Sequence, residues 1–339
     1  MESIYYVMTF LCHRNCPHCY EDRFHPYYGD DLEHVAGESR ANFARIIENF
    51  PDTMRFVDAA GVSKRGRIIL AGGEILLEAV RESVLYPGLE QLHQKYAGDV
   101  QLVVQTTGDL LTDRIVAELV ERHVEMISVS GIDAFHAGLE KESARVALMD
   151  KLRAMFARHG VREVPHDPLL VQQGQPYFHF FGANPDSWIG KIWPRGRAWT
   201  NSLSTATMED NFCNGWSGGL GFLEYGQAGA EVSVEPNGNV YPCCMKTELA
   251  VGNLLENKLE GILRGLRGNA VYEAINAGAP ARMGLTYGWS EAEFLERSQV
   301  EKPDGSAYGN LCIGCDTFHR QVLGDVLGKG PELVHIAGL

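Results

Sequence analysis

Residues 4–20 read IYYVMTFLCHRNCPHCY, a β-branched and aromatic run that ends in three cysteines within eight residues, Cys12, Cys16 and Cys19. The run predicts a strand and the cysteines a loop directly after it. Strand and helix alternate from there on. Phe43, Ile46, Ile47 and Phe50 fall at i, i+3, i+4, i+7 and mark the face of an amphipathic helix. RIILA at 67–71 is a short buried strand stopped by Gly72-Gly73, and a helical stretch covers roughly 76–96. QLVVQ at 101–105 is the next strand, closed by Thr106-Thr107-Gly108, and Ile115, Val116, Leu119 and Val120 form the next helix face. MISVSG at 126–131 is a strand and 142–158 a helix. Continuous apolar strands alternating with helices predict a parallel sheet covered by helices, open or closed into a barrel.

After residue 160 the alternation stops. PHDPLLVQQGQP (165–176) reads as a linker, YFHFF (177–181) as one more strand, and 184–221 is rich in Gly, Trp, Asn and Ser. EVSVEPNGNVYP (231–242) reads strand–turn–strand about Asn237-Gly238, a hairpin signal, and Leu255, Leu259, Ile262 and Leu266 mark a helix. A chain of 339 residues suits two domains, and the change of pattern places them at 1–200 and 201–339. With 44 acidic against 30 basic residues, a net charge of −14 excludes a general nucleic-acid binder. No apolar run reaches the roughly 18 residues of a membrane span. The N-terminal stretch lacks the basic region and small-residue cleavage site of a signal peptide, so a cytoplasmic location with reduced thiols is expected.

Five further cysteines, Cys213, Cys243, Cys244, Cys312 and Cys315, lie in the C-terminal part. Clustered thiols in a reducing compartment read as soft-metal ligands, for zinc or for an iron–sulfur cluster. Zinc wants four ligands, and near the first triplet only His13 or His18 is at hand as a fourth. Three cysteines around a four-iron cluster instead leave one iron open to a chelating ligand. Loops at the carboxyl ends of parallel strands are where such folds place reactive sites.

C-x3-C-x2-C after a first strand resembles the radical S-adenosylmethionine (SAM) superfamily. The resemblance implies a partial (β/α)6-type, TIM-like barrel in which Cys12, Cys16 and Cys19 hold a [4Fe-4S] cluster that binds SAM through its open iron. SAM is then cleaved reductively to a 5′-deoxyadenosyl radical that abstracts a substrate hydrogen. Further positions match it. Gly72-Gly73-Glu74 occupies the place of the family's GGE motif, which binds the SAM amino group. Thr107 lies where relatives often have Asn, in the Thr106-Thr107-Gly108 turn. Ser128, Ser130 and Asp133 stand where relatives place groups near the SAM ribose and carboxylate, and His18 where a side chain packs on the adenine. Ile75 replaces the usual proline after GGE. Read singly, the glycine pair is also an ordinary strand-to-helix turn, Ser130 or Asp133 a helix cap, and His18 a loop residue.

Gly238-Asn-Val-Tyr-Pro-Cys243 (G-x4-C) and Cys312-Ile-Gly-Cys315 (C-x2-C), with Cys213 upstream, resemble the SPASM/twitch extension of the same superfamily. That implies a small C-terminal α+β domain binding one auxiliary cluster, of the [4Fe-4S] type, through Cys213, Cys243, Cys312 and Cys315. Cys244 is the spare and can exchange roles with Cys243. A zinc knuckle is the competing reading of the C-x2-C pair. The resemblance implies an oxidoreductase or maturase that oxidatively modifies a peptide or protein side chain by crosslinking or dehydrogenation. Its substrate is otherwise a small natural-product intermediate, and its electrons come from an external reductant such as flavodoxin or ferredoxin. A non-catalytic iron–sulfur or zinc scaffold is the rival class. The basic, aromatic stretch WIGKIWPRGRAW, with Trp188, Trp193, Arg195, Arg197 and Trp199, reads either as a substrate mouth that meets a carboxylate or as a packed surface loop.

Overall fold

The computed structural model describes residues 1–164, 175–183, 191–214, 218–229 and 231–324. Most of the linker-like stretch, Trp188 and part of the glycine-rich segment at 215–217 lie outside them.

The alternating apolar runs form a parallel sheet. Strand β1 (Ser3–Val7) is followed by helix α1 (Gly29–Glu48) and a short antiparallel pair, β2 (Arg55–Val57) with β3 (Ser63–Arg65). Strand β4 (Arg67–Ala71) leads through α2 (Glu78–Val80) and a five-residue π-helical segment into α3 (Tyr86–Tyr96). Then come β5 (Gln101–Thr106), α4 (Asp113–Glu121), β6 (Met126–Val129), α5 (Glu142–Arg158), the two-residue β7 (Arg162–Glu163) and β8 (Tyr177–Phe180). Past the short helix α6 (Gly196–Thr200) the chain forms β9 (Glu231–Val234), β10 (Asn239–Tyr241) and β11 (Gly252–Asn253). It ends in α7 (Leu259–Leu266), α8 (Ala270–Asn276), α9 (Glu291–Arg297), a second antiparallel pair, β12 (Gln299–Glu301) with β13 (Ala307–Gly309), and α10 (Leu311–Phe318).

The nine-stranded sheet has the order β11-β10-β9-β1-β4-β5-β6-β8-β7. Every pairing from β9 to β7 is parallel, and β10 and β11 turn back antiparallel. The sheet is therefore an open, largely parallel α/β array, a partial barrel. The hairpin at Asn237-Gly238 is present, with Gly238 at φ +85. Its first strand does not stand apart with the C-terminal elements: β9 pairs with β1 in the register Ile4↔Val232 and extends the parallel sheet.

Alternation along the strands gives the sheet two buried faces. Ile4, Tyr6, Ile68, Leu70, Leu102, Val104, Ile127 and Phe178 join the main core with Ile47, Leu89, Val116 and Phe156 of the helices. The opposite face carries Tyr5, Arg67, Ile69, Val103, Gln105, Met126, Ser128 and His179, and these line a cavity. Among the described residues no helix is long and apolar enough to cross a membrane.

Candidate active site

The cavity, about 270 Å³, opens at the carboxyl ends of β1, β4, β5 and β6. It collects Cys12, Cys16, Cys19 and His18 from the loop after β1, Gly72 and Gly73 after β4, Thr107 after β5, Ser128 on β6, and Ser130 and Asp133 after it. Four separate stretches of sequence thus converge on one space. Two glycines make the approach possible. A Cβ on Gly73 would lie 2.2 Å from the Leu11 carbonyl oxygen and 2.8 Å from the Cys12 Cβ, and one on Gly72 would lie 2.7 Å from the Thr9 carbonyl oxygen. The Gly-Gly turn is therefore packed against the backbone of the cysteine loop, and Gly73 and Glu74 donate their amides to Thr9 and Leu11.

Glu74 stands one layer behind the cavity wall. It is 1% exposed, and its carboxylate accepts from the Leu76 amide (2.9 Å), the Thr106 hydroxyl (2.9 Å), the Thr107 amide (2.8 Å) and the Thr107 hydroxyl (2.7 Å). These contacts clamp the Thr106-Thr107-Gly108 turn. The single Thr107 hydroxyl proton is shared between Glu74 and Asp109, and Asp109 also accepts from His13 Nε2 and an Arg14 Nη, each at 2.8 Å. His13 is held above its usual range, at about 9, chiefly by this hydrogen bond. One chain of contacts thus ties the glutamate, the threonine turn and the cysteine loop together.

Asp133 is organised in the same way. It accepts from the Phe135 amide and His136 Nδ1, both at 2.9 Å, and from the Ala183 amide at 2.9 Å. Its carboxyl is held well below the usual range, because these donors and the His136 charge outweigh its burial. His18 packs against Phe135 (ring centroids 5.1 Å apart) and His136 (4.7 Å), and burial lowers its pKa to about 4. Ser130 bonds the Thr106 carbonyl, and Ser128 Oγ lies 2.8 Å from Nε2 of His179, its register partner on β8. The sequence reading did not single out His179. Its signal was the alternation in YFHFF, which puts the histidine on the cavity face.

The C-terminal cysteines form a second cluster. Cys312 and Cys315 share one face of α10, capped by Asn310, whose side chain accepts from the Cys312 amide at 2.9 Å. Gly314 between them is required: its Cβ would lie 2.1 Å from Ser298 Oγ and 2.8 Å from the Phe294 ring. Cys243 and Cys244 follow β10, and Cys213 lies in a 3-10 turn at Phe212–Asn214. Burial raises all these thiols, Cys243 to about 12. The thiol of Cys213 is raised further by Cys243, Cys312 and Cys315. Cys244 also lines the cavity, beside Met245. Cys213, Cys243, Cys312 and Cys315 act on one another electrostatically, and Cys243 and Cys312 also act on Cys244, so all five thiols share one neighbourhood.

Both donor sets suit soft metals. Thiols crowded together, Cys243, Cys312 and Cys315 buried and Cys213 half-buried, are a poor protein interior but a suitable ligand set for iron or zinc. The first three border a cavity with room for a further ligand. Cys16, His18 and His136 also bring ligand atoms within 4.8 Å of one another, a set that omits Cys12 and Cys19.

Residues 227–280 match the SPASM family, an iron–sulfur cluster-binding domain. No curated protein matches the sequence. Among solved structures the chain is similar to BtrN in complex with AdoMet and 2-DOIA, at 14% identity over 82% of this chain and 89% of that one, TM-score 0.43. It is similar to Streptococcus suis SuiB bound to S-adenosylmethionine, at 10% identity over 81% and 67%, TM-score 0.40. A third is anSMEcpe with bound AdoMet and Cp18Cys peptide, at 13% identity over 97% and 99%, TM-score 0.40. The family match covers the β9–β10 hairpin, Cys243, Cys244, α7 and α8, and leaves Cys12, Cys16, Cys19, Cys213, Cys312 and Cys315 outside it.

Proposed function

We propose that this chain binds SAM at a [4Fe-4S] cluster held by Cys12, Cys16 and Cys19, and oxidatively modifies a substrate in the adjoining cavity. The observation that carries the reading is that one cavity borders both cysteine regions, the first triplet on one side and Cys244-Met245, beside Cys243, on the other. When bound, the first cluster with SAM supplies a hydrogen-abstracting radical, and an auxiliary cluster on Cys213, Cys243, Cys312 and Cys315 supplies an electron acceptor.

The chain's own groups divide the remaining work. Gly72 and Gly73 offer close backbone approach, Thr107, Ser130 and Asp133 offer polar contacts at the cavity mouth, and His18 offers a neutral ring to stack on an adenine. Glu74 and Asp109 act through the groups they hold. Deeper in the barrel Gln105, Ser128 and His179 form one polar layer, set among Ile69, Val103, Met126 and Phe181. A polar arc in an apolar wall orients a single hydrogen-bonding group and excludes bulk water. Such a space suits one side chain of a peptide or protein, the substrate we favour. A small hydroxylated molecule is the second reading, supported by the Ser128–His179 pair, which can hold a hydroxyl and receive its proton.

Metal analysis separates this function from that of a scaffold. Anaerobically isolated protein is expected to be brown, with about eight iron per chain if both clusters are of the four-iron type. Stoichiometric zinc with negligible iron, retained on Cys16, His18 and His136, would replace the enzyme with a zinc-binding protein.

A further inference from the structure

The basic stretch around residue 195 does not face solvent or the cavity mouth as a pair. Arg195, at the N-cap of α6, and Arg197, in its first turn, diverge, each to a different set of cysteines. Arg197 donates to three carbonyls of the first cysteine loop, those of Cys16 (3.0 Å), Asp22 (2.9 Å) and Phe24 (2.7 Å). Arg195 donates to the carbonyls of Met245 (3.2 Å) and Lys246 (3.0 Å), just after Cys243-Cys244, and is paired with Asp316, the residue after Cys315. It therefore staples the two segments that carry Cys243 and Cys315. Between the arginines, Gly196 takes φ +51, and a Cβ there would lie 2.6 Å from the Tyr20 carbonyl carbon and 2.8 Å from the Cys19 carbonyl oxygen. The Ala198 amide donates to that same Cys19 carbonyl at 3.1 Å.

The charges follow the contacts, because each guanidinium is fixed against backbone next to a cysteine of its own set. Around Arg195 the environment is low in water: His319, one helical turn past Cys315, is fully buried with neither ring nitrogen hydrogen-bonded, and Asp316 Oδ1 is likewise unpartnered. A fixed cation acts strongly in such surroundings.

We propose that Arg195-Gly196-Arg197 is a two-headed positioning element, one arginine for each cluster, which holds both cysteine loops and raises the reduction potential of the cluster on its own side. This rests on the reading of both cysteine sets as iron–sulfur sites. Reduction adds one negative charge to a cluster, so a nearby guanidinium favours the reduced form. The carboxylate of Asp316, paired with Arg195 through Oδ2 only, would act in the opposite sense.

The test is an EPR-monitored redox titration of the iron-loaded full-length protein, with iron counted in every variant. In Arg195→Gln the auxiliary midpoint is expected to become more negative while that of the N-terminal cluster stays in place. Arg197→Gln is expected to do the reverse. Arg195→Lys, which keeps the charge, should restore most of the auxiliary value. Asp316→Asn gives the deciding control, since it leaves Arg195 on its two carbonyls and should move the auxiliary midpoint to more positive values. Unmoved potentials in the iron-replete Gln variants, or a negative shift in Asp316→Asn, would overturn the proposal. Wild-type protein that binds no iron would instead overturn the function on which it rests.

Discussion

At the scale of single residues, the cavity end of the sheet is held by a few buried side chains that are bonded to other parts of the protein. Glu74 is the clearest case: four protein donors occupy its carboxylate, so its role is to fix the threonine turn. Glu74→Gln turns one acceptor oxygen into a donor that faces hydroxyl and amide groups. This should cost about 1–3 kcal/mol of stability and weaken SAM binding, with the iron content intact. Chemical denaturation and a SAM titration check both parts. An equally stable variant with lost SAM affinity would restore the direct contact expected from the GGE motif. Gly73→Ala should be harsher, because its methyl would overlap the backbone of Leu11. We expect loss of the N-terminal cluster and retention of the auxiliary one, about half the iron in a metal assay. These side chains could be found in the sequence by spacing, but their distance from the cavity could not. A motif says which residues recur together and leaves open which of them face the ligand and which hold those that do.

At the scale of elements, the strands and main helices were legible because each buries a continuous or 3.6-periodic apolar face. The union of β9 with β1 was not. Strand pairing across more than 220 residues leaves no local periodicity, and the hairpin signal at Asn237-Gly238 specifies β9 with β10 only. What locks this distant pairing is partly electrostatic. Glu235, 0% exposed at the end of β9, is paired with Arg23 and with Lys246 (2.8 Å), and Glu21 bonds both of these cations as well. Two carboxylates and two cations thus join the first cysteine loop to the hairpin that carries Cys243. Glu235→Gln should destabilise the protein by about 2 kcal/mol, below the roughly 3–5 of a fully buried pair because Arg23 is 42% exposed. Urea unfolding measures this. Helix α10 shows the same dependence on close contact: Gly314→Ala would drive a methyl into Ser298 and Phe294 and displace Cys312 and Cys315. The variant should lose the auxiliary cluster's iron and keep the other, and full iron retention would show that α10 tolerates the shift.

At the scale of the whole molecule, a partial barrel presents one cavity to two cysteine sets, and the connection between them runs through α6. Arg195, at the N-cap of that helix, and Arg197 within it read in the sequence as carboxylate receptors or a solvated loop. Their backbone carbonyl partners come from residues 16–24 and 245–246, contacts that no spacing within the stretch encodes. The assembly makes a single prediction that all its parts share: the protein cleaves SAM. Iron-loaded wild-type protein and Cys16→Ala should each be incubated anaerobically with SAM and dithionite, and 5′-deoxyadenosine quantified. 5′-Deoxyadenosine is expected from the wild type and none above background from Cys16→Ala. Wild-type protein that holds its iron but forms no 5′-deoxyadenosine would contradict the proposed SAM cleavage.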